Sequence, residues 1–210
     1  MSKLAKSLEL KDLMTTVVVA TGNPGKLAEL KDYLKELDWT LALKPEEIEV
    51  QETGATFIEN ARLKASEVAI ATSSWAIADD SGLCVAALGG APGVYSSRYG
   101  DSDASRINRV LKELGDETDR SAEFVCAIAL SKPDGTIVLE TQGRCPGSIL
   151  TAGQGAAGFG YDPIFFVTTR GKTFAQMSDA EKERFSHRGI AFDQLMPALK
   201  QLRFEEYESV

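Results

Sequence analysis

Short β-branched runs alternate along this chain with segments in which apolar residues recur every three or four positions. Thr16–Ala20 is such a run and is typical of a buried strand. Leu27, Leu30, Leu34 and Leu37 form one apolar stripe and predict a helix. Asparagine, proline and glycine lie between the two, as expected of a turn. This part of the chain therefore predicts a strand–turn–helix unit.

The rest of the pattern mixes further helices with strands and one hairpin. Pro133, Asp134 and Gly135 are turn residues between two apolar runs, which indicates the hairpin. Because βα units and a hairpin occur together, we expect an α/β fold with a mixed β-sheet and flanking helices, in which the hairpin region could form a second lobe beside a cleft. The predicted helices are Thr56–Ala71, Asp101–Leu114 and Ile190–Leu202, and the predicted strands are Ile48–Val50, Trp75–Ala78, Phe124–Leu130, Thr136–Glu140, Arg144–Leu150 and Ile164–Val167.

Composition and charge narrow the possible functions. The 210 residues carry a net charge of −8, which disfavours binding to the phosphate backbone of nucleic acids. No apolar run is long enough to span a membrane, and a single histidine excludes a His-rich metal site. Three cysteines without a C-x-x-C pair favour a reducing compartment, the cytoplasm. Residues 1–14 lack the apolar core of a signal peptide and are predicted to be a short N-terminal extension to one domain, residues 15–210.

The first motif that could take part in chemistry is Thr21-Gly22-Asn23-Pro24-Gly25-Lys26, which lies between the first predicted strand and the first predicted helix. Backbone N–H groups and the positive end of a helix dipole meet at such a place and attract anions, and Lys26 adds a full positive charge. Only two residues separate the glycines, so the motif is not a Walker A loop. It predicts a phosphate site or, alternatively, an ordinary strand-to-helix turn.

Two adjacent carboxylates, Asp79 and Asp80, follow the strand predicted at Trp75–Ala78. Carboxylate oxygens suit Mg²⁺, which commonly takes one or two of them together with substrate phosphates. A carboxylate beside the metal can also deprotonate a water molecule. The two side chains face apart if the strand continues and can converge if the chain bends. The alternative is a solvated turn, because Asp, Ser and Gly are turn residues.

Other polar residues could complete such a site. Glu52 could supply a further carboxylate, and Asn60 and Lys64 are four residues apart on one face of a predicted helix. His187 and Arg188 offer hydrogen-bond donors just before the final helix. Each has a simpler interpretation, as a solvated helix face or a structural histidine.

A glycine-rich segment near residue 155 resembles a dinucleotide fingerprint. Gly153–Gly158 matches G-x-G-x-x-G, and Asp179 lies about 20 residues further on. However, no strand leads directly into the segment and no helix opens from it, so we interpret the match as chance. Phe159 and Tyr161 on the same loop could stack on a base or, as is more common, pack at an edge.

Five motifs occur along the chain in a fixed order: TGNPGK, TFIENARLKA, ADDSGLCVAALGGAPGVYSSRY, GFGYDPIFF and SHRG. Together they are more specific than any one of them. With these motifs the chain resembles, from about Val17 to Leu202, the inosine triphosphate pyrophosphatase family, the XTP/dITP diphosphatases. The resemblance implies an elongated mixed sheet with two lobes around a central nucleotide-binding cleft, and a homodimer. It also implies Mg²⁺-dependent hydrolysis of ITP, dITP and XTP to the monophosphate and pyrophosphate.

The same resemblance implies roles for individual residues. Asp80 would be the catalytic proton acceptor, and Glu52, Asp79 and Asp80 would be the Mg²⁺ ligands. Gln51 stands where the family often has the first member of an acidic pair. The implied substrate-binding residues are Thr21, Gly22, Asn23, Pro24, Gly25, Lys26, Asn60 and Lys64 for the phosphates, Ser81, and Phe159, Gly160, Tyr161, Asp162, Lys182, His187 and Arg188 for the base.

Alternative functions make different demands on the sequence. A nucleotide-binding module without catalysis would lack the carboxylates that this chain has at Glu52, Asp79 and Asp80, so this alternative is disfavoured. A related nucleotide pyrophosphatase with another base specificity would lack the Ser-His-Arg motif. An all-helical pyrophosphatase is excluded by the predicted strands and by the missing E-E-x-x-E pattern.

Overall fold

The computed structural model describes residues 15–202 and residue 204. The N-terminal extension predicted over residues 1–14 lies outside this range. None of the helices in the described range combines the length and the hydrophobicity needed to cross a lipid bilayer.

One seven-stranded sheet runs through the molecule in the order β2-β1-β3-β4-β5-β6-β7. The strand β1 pairs in parallel with β2 and β3, and every later pairing is antiparallel. The mixed sheet and its flanking helices confirm the predicted α/β fold. The strands are β1 (Thr15–Val19), β2 (Trp39–Leu43), β3 (Trp75–Val85), β4 (Ser121–Ser131), β5 (Ile137–Ile149), β6 (Phe165–Val167) and β7 (Lys172–Thr173).

Five α-helices flank the described sheet, and side chains cap their N-termini. The Asn23 side chain caps α1, and Thr56 and Glu59 form a reciprocal capping box on α2. Ser186 caps the last helix, which therefore begins at His187 and not at the predicted Ile190. The helices are α1 (Pro24–Leu34), α2 (Phe57–Thr72), α3 (Asp103–Leu114), α4 (Asp179–Phe185) and α5 (His187–Gln201).

The core is divided by the sheet, because successive side chains of a strand point to opposite faces. Val17 and Ile128 belong to the cluster under α1 and α5, whereas Val18 and Ala127 belong to the cluster under α2. A third cluster, which includes Phe124, lies at the other end of the sheet under α3. A cleft opens between this end and the end that carries α1 and α2.

Three strand predictions differ from the structure. Ile48–Val50 is not a strand; the chain there is irregular, and the edge strand is Trp39–Leu43, which pairs with β1. The strand predicted at Trp75–Ala78 continues to Val85 through the two aspartates, because long antiparallel pairing with β4 holds it extended. The segment Arg144–Leu150 is not a separate strand but the end of β5.

Candidate active site

Two adjoining cavities occupy the cleft. The larger has a volume of about 570 Å³ and the smaller about 420 Å³. Loop residues 159–162 and the start of α5 line the larger cavity, whereas Glu52, Lys64 and Asp80 line the smaller one. The two cavities form one continuous cleft, since both are lined by Gly22, Asn23, Lys26, Ser81 and Ser97.

Asp79 and Asp80 lie on opposite faces of β3, because the strand remains extended through both. Asp79 is paired in register with Ile128, on the face covered by α1 and α5. Asp80 is paired with Ala127, on the face covered by α2. The two carboxylates therefore face apart, which is the outcome expected of a continuous strand.

Asp80 is held by two side chains of α2. Its Oδ1 accepts a hydrogen bond from Lys64 Nζ at 2.8 Å, and its Oδ2 accepts one from Asn60 Nδ2 at 3.3 Å. The amide of Asn60 is oriented by Gly54, whose backbone N–H donates to Asn60 Oδ1 at 2.8 Å. Asn60 is fully buried, so it reaches Asp80 and does not line the cleft.

Lys64 joins Asp80 to Glu52. Its ammonium lies 2.9 Å from Glu52 Oε1, and the other oxygen of Glu52 lies 2.8 Å from Arg98 Nη1. Burial raises the pKa of Asp80 above its ordinary value, although Lys64 and Lys26 oppose this effect. Burial alone would also raise the pKa of Glu52, but Lys64 outweighs it and the pKa is lowered. Asp80 is therefore the better proton acceptor of the two carboxylates.

Asp79 belongs to a different network, with two cations. Its Oδ2 lies 3.1 Å from Lys26 Nζ and 2.9 Å from Arg188 Nη2. Burial alone would raise the pKa of Asp79, but Lys26 and Arg188 hold it well below its usual range. Asp79 is 2% exposed and lines neither cavity. Its position is that of a buried counter-ion.

Arg188 donates to acceptors from two elements, β3 and α1. In addition to Asp79, its Nη2 donates to Ser81 Oγ at 3.0 Å and its Nη1 donates to Glu29. Burial alone would lower the pKa of Arg188, but Asp79 outweighs it and raises the pKa further. Although Arg188 lines the larger cavity, these contacts turn most of its donors towards protein carboxylates.

His187 packs against two aromatic rings at the wall of the larger cavity. Its ring lies 4.7 Å from the ring of Phe124 and 5.9 Å from that of Phe174, in stacked arrangements. Burial lowers the pKa of His187 well below its ordinary value, and Arg188 and Lys182 add to this effect. The imidazole is therefore neutral near pH 7, and its buried Nδ1 has no hydrogen-bond partner among the residues that the structure describes.

The loop Thr21–Lys26 uses part of its hydrogen-bonding capacity on itself. The Asn23 side-chain oxygen accepts hydrogen bonds from the backbone N–H groups of Gly25 and Lys26, at 2.9 and 3.2 Å. Pro24 has no N–H to offer. Two of the backbone donors expected to meet an anion are thus already satisfied within the loop, whereas Thr21, Gly22, Asn23 and Lys26 line the cleft.

The aromatic loop after the glycine-rich segment is tied to α4. Lys182 Nζ lies 2.8 Å from Asp162 Oδ2 and 2.8 Å from Glu29 Oε1, and 4.5 Å from the centroid of the Phe159 ring. Burial lowers the pKa of Lys182, but Asp162 and Glu29 outweigh it and the pKa is raised. Phe159, Gly160, Tyr161, Asp162 and Lys182 all line the larger cavity, as the resemblance implied. The segment 153–158 is loop, with no helix after it, so the fingerprint match is chance.

A Mg²⁺ ion fits only part of the implied ligand set. Glu52 and Asp80 both lie within hydrogen-bond distance of Lys64 Nζ at the smaller cavity, and two carboxylates facing a phosphate site are a donor set that suits Mg²⁺. Asp79 lies on the other face of β3, away from these two. Within residues 15–202, no group of three His, Cys, Asp or Glu side chains is placed to share one ion. The structure thus brings Glu52 and Asp80 together and leaves Asp79 apart.

Residues that the sequence patterns did not single out line the cleft or pair with residues that line it. Glu29 accepts from Lys182 and Arg188, and Arg98 pairs with Glu52. Asp103 and Arg106 line the larger cavity and Lys44 lines the smaller one. Glu29 lies one helical turn after Lys26, so the polar face of α1 was the available signal for it.

Comparisons with known proteins identify the family of this chain. The Ham1 family model matches residues 17–198. A dITP/XTP pyrophosphatase of Nostoc is 58% identical over 183 residues, which cover 87% of this chain and 93% of that protein. A dITP/XTP pyrophosphatase of Synechocystis is 54% identical over 194 residues, covering 92% of this chain and 100% of the relative.

Solved structures show the same fold. A HAM1 protein from Coxiella burnetii superposes with a TM-score of 0.83 at 42% identity, covering 90% of this chain and 100% of that one. The Ham1 protein of Staphylococcus aureus superposes with a TM-score of 0.80 at 41% identity, covering 89% and 99%. The resemblance found in the five ordered motifs is therefore confirmed, and the chain belongs to the Ham1 family.

Proposed function

We propose that this protein is a nucleoside triphosphate pyrophosphatase that hydrolyses dITP, XTP and ITP to the monophosphate and pyrophosphate. The observation that carries the proposal is the division of one cleft into a cationic, carboxylate-bearing end and an aromatic end. A triphosphate fits the first and a purine the second. Relatives that share more than half of their residues with this chain are named for the same reaction.

The chain supplies a base for water at the phosphate end. Asp80 faces the smaller cavity, and its raised pKa makes it a stronger base than an ordinary carboxylate. It would accept the proton of a water that attacks the α-phosphorus as the bond to the β-phosphate breaks. A positioned general base contributes about 10²- to 10⁴-fold in rate.

Cations around the same cavity neutralise the polyphosphate. Lys26 and Lys64 both line it, and each is already held by a carboxylate that fixes its position. Mg²⁺ held by Glu52 and Asp80 would add charge neutralisation on the phosphate oxygens. With these groups the site can stabilise pyrophosphate as it leaves, although the net charge of the chain is negative.

The aromatic end would select the base by hydrogen bonding and stacking. Hypoxanthine and xanthine carry an acceptor at O6, whereas adenine carries an amino group. A neutral His187 can donate one hydrogen bond to O6, and Phe159 offers a ring for stacking. A buried donor left without an acceptor costs about 1–3 kcal/mol, which would disfavour adenine.

One assay tests the reaction and the specificity together. The purified protein is incubated with Mg²⁺ and dITP, XTP, ITP, dATP or dGTP, and pyrophosphate and orthophosphate are measured separately. We expect pyrophosphate, released faster from the first three substrates. Orthophosphate alone would contradict the reaction, and equal rates on all five would contradict the specificity. Loss of activity with EDTA and its return with excess Mg²⁺ tests the cofactor.

We also propose a location and an oligomeric state for this enzyme. Cys84, Cys126 and Cys145 are all unpaired thiols, which supports a cytoplasmic enzyme.

The family resemblance supports a homodimer. Light scattering coupled to gel filtration tests the dimer, whose expected mass is about 45 kDa, twice the 22.7 kDa of one chain.

A further inference from the structure

Two carboxylates hold the backbone on either side of Phe159. The N–H of Phe159 donates to Asp162 Oδ2 at 3.0 Å, and the N–H of Gly160 donates to Asp103 Oδ2 at 2.7 Å. These groups belong to the two peptide planes that flank the Phe159 Cα, and each plane is rigid. The φ and ψ angles of Phe159 are thus both fixed by hydrogen bonds to carboxylates.

Asp103 is anchored independently of the loop that it holds. It lies in the first turn of α3, where a negative charge is favoured by the helix dipole. Its Oδ1 accepts a hydrogen bond from Arg106 Nη1 at 2.8 Å, and Arg106 Nε donates to the carbonyl of Gly100 at 3.0 Å. Both carboxylate oxygens are therefore engaged, one by its own helix and one by the loop.

The loop that leads to Phe159 needs such an anchor, because burial of its side chains does not fix its position. Residues 151–158 are all exposed, and Gly158 and Gly160 both have positive φ, at 79° and 60°. Glycine at these angles allows the turn but does not enforce it. Within the loop, the N–H of Asp162 donates to the Phe159 carbonyl at 3.2 Å, and the hydroxyl of Tyr161 donates to the Ser96 carbonyl at 2.9 Å. Asp103 is therefore the contact from α3 that holds the peptide after Phe159, while Lys182 lies over the ring itself.

We propose that Asp103 is a positioning residue for the nucleobase: it fixes the Phe159–Gly160 peptide and thereby holds the Phe159 ring against the base. The inference rests on the proposed function, since it needs a purine at the aromatic end of the cleft. Asp103 lines the larger cavity but not the smaller one, where Asp80 acts. Its loss should therefore weaken substrate binding and leave the chemical step unchanged.

Steady-state kinetics on Asp103→Ala and Asp103→Asn tests this role. We expect the alanine variant to raise KM for dITP about tenfold, the loss of one charge-assisted hydrogen bond, with kcat within about twofold of the wild type. The asparagine variant keeps an acceptor oxygen for Gly160 N–H and should recover most of the loss. The inhibition constant of inorganic tripolyphosphate, which has no base, should be the same in all forms.

Ser102→Ala is the matched control. Ser102 caps the same helix through the N–H of Ser105 and does not touch the aromatic loop, so this variant loosens the start of α3 without releasing Gly160. Equal effects of Ser102→Ala and Asp103→Ala would overturn the proposal. So would a fall in kcat at unchanged KM, or a rise in the tripolyphosphate constant equal to that in KM.

Amide exchange provides a readout that does not depend on turnover. Peptides that contain residues 159–161 should exchange faster in Asp103→Ala than in the wild type or in Ser102→Ala. Unchanged exchange would show that Asp103 does not hold the loop. If the wild type failed to hydrolyse dITP, the proposed function and the role in base binding would fail together, and exchange would still decide whether the carboxylate holds the peptide.

Discussion

Asp79 and Asp80 are neighbours in the chain, yet they belong to separate charge networks on opposite faces of β3. Asp79 balances Lys26 and Arg188 in the interior, and Asp80 faces the cleft beside Lys64. Their pKa values move in opposite directions, Asp79 down and Asp80 up. One strand thus separates a buried counter-ion from a carboxylate that faces the cleft.

Asp80→Asn should abolish most turnover and leave the fold intact. Asparagine is nearly the same size and still accepts from Lys64, but it cannot take a proton from water. Because burial makes the charged form of Asp80 unfavourable, we expect a urea midpoint equal to or above that of the wild type. The rate of pyrophosphate release should fall by at least about 10²-fold. A variant with wild-type kcat would remove Asp80 from the chemical step.

Asp79→Asn should have the opposite profile, a large loss of stability. Removing this charge leaves Lys26 and Arg188 buried with fewer counter-charges, and breaking one partner of a buried ion pair typically costs about 3–5 kcal/mol. Urea unfolding measures the change. The control is Glu36→Gln at the exposed Glu36–Lys200 pair, whose midpoint should barely move. Equal midpoints for the two variants would contradict a structural role for Asp79.

Most of the fold could be predicted from the periodicity of apolar residues and from the turn residues. The spacing of apolar residues and the turn residues placed α1, α2, α3 and the β4–β5 hairpin at the right points in the chain, but the second hairpin strand, predicted at Thr136–Glu140, continues to Ile149. The errors lie where burial depends on partners distant in sequence. Ile48–Val50 has the composition of a strand, but Trp39–Leu43 occupies the edge beside β1. The length of β3 was missed because two charged residues seldom continue a buried strand unless cations from other elements pair with them.

The motifs singled out residues that the structure brings to one cleft, but not most of the contacts among them. The predicted residues Glu52, Lys64 and Asp80 do meet at one cavity. The expectation that Asp79 joins them depended on whether the chain bends after Ala78, which local sequence does not decide. Asp103 was missed for a related reason: it contacts Gly160 across 57 positions of sequence. Such contacts depend on tertiary packing and leave no periodic signal.

Gly25→Ala should weaken substrate binding through Phe159. A Cβ at Gly25 would lie 2.7 Å from Phe159 Cδ1, closer than real contacts allow, so the ring must move. We expect KM for dITP to rise by about tenfold or less, because the end of a side chain can shift at modest cost. The effect should depend on the ring, so Gly25→Ala should cost much less in a Phe159→Ala background. Additive effects in this double-mutant cycle would show that the two residues act separately.

Stability should decline on mild acidification because of His187. Burial, Arg188 and Lys182 lower the pKa of His187 in the folded protein, whereas the unfolded chain binds a proton below about pH 6.5. Above that pH the residue is neutral in both states and contributes no pH dependence. Below it, the unfolded state binds the extra proton, so the free energy of unfolding falls by up to about 1.4 kcal/mol per pH unit until the folded pKa is reached.

The comparison of the wild type with His187→Gln isolates this effect, because the chain has a single histidine. Asp80 and Asp162 have raised pKa values in the folded state and act in the opposite direction, but they are common to both proteins. Urea unfolding at pH 7.5, 6.5 and 5.5 should show a steeper loss in the wild type, with the two curves separating only below about pH 6.5. Parallel pH dependences would mean that His187 becomes protonated in the folded protein as readily as in the unfolded chain, in conflict with its burial against Phe124 and Phe174.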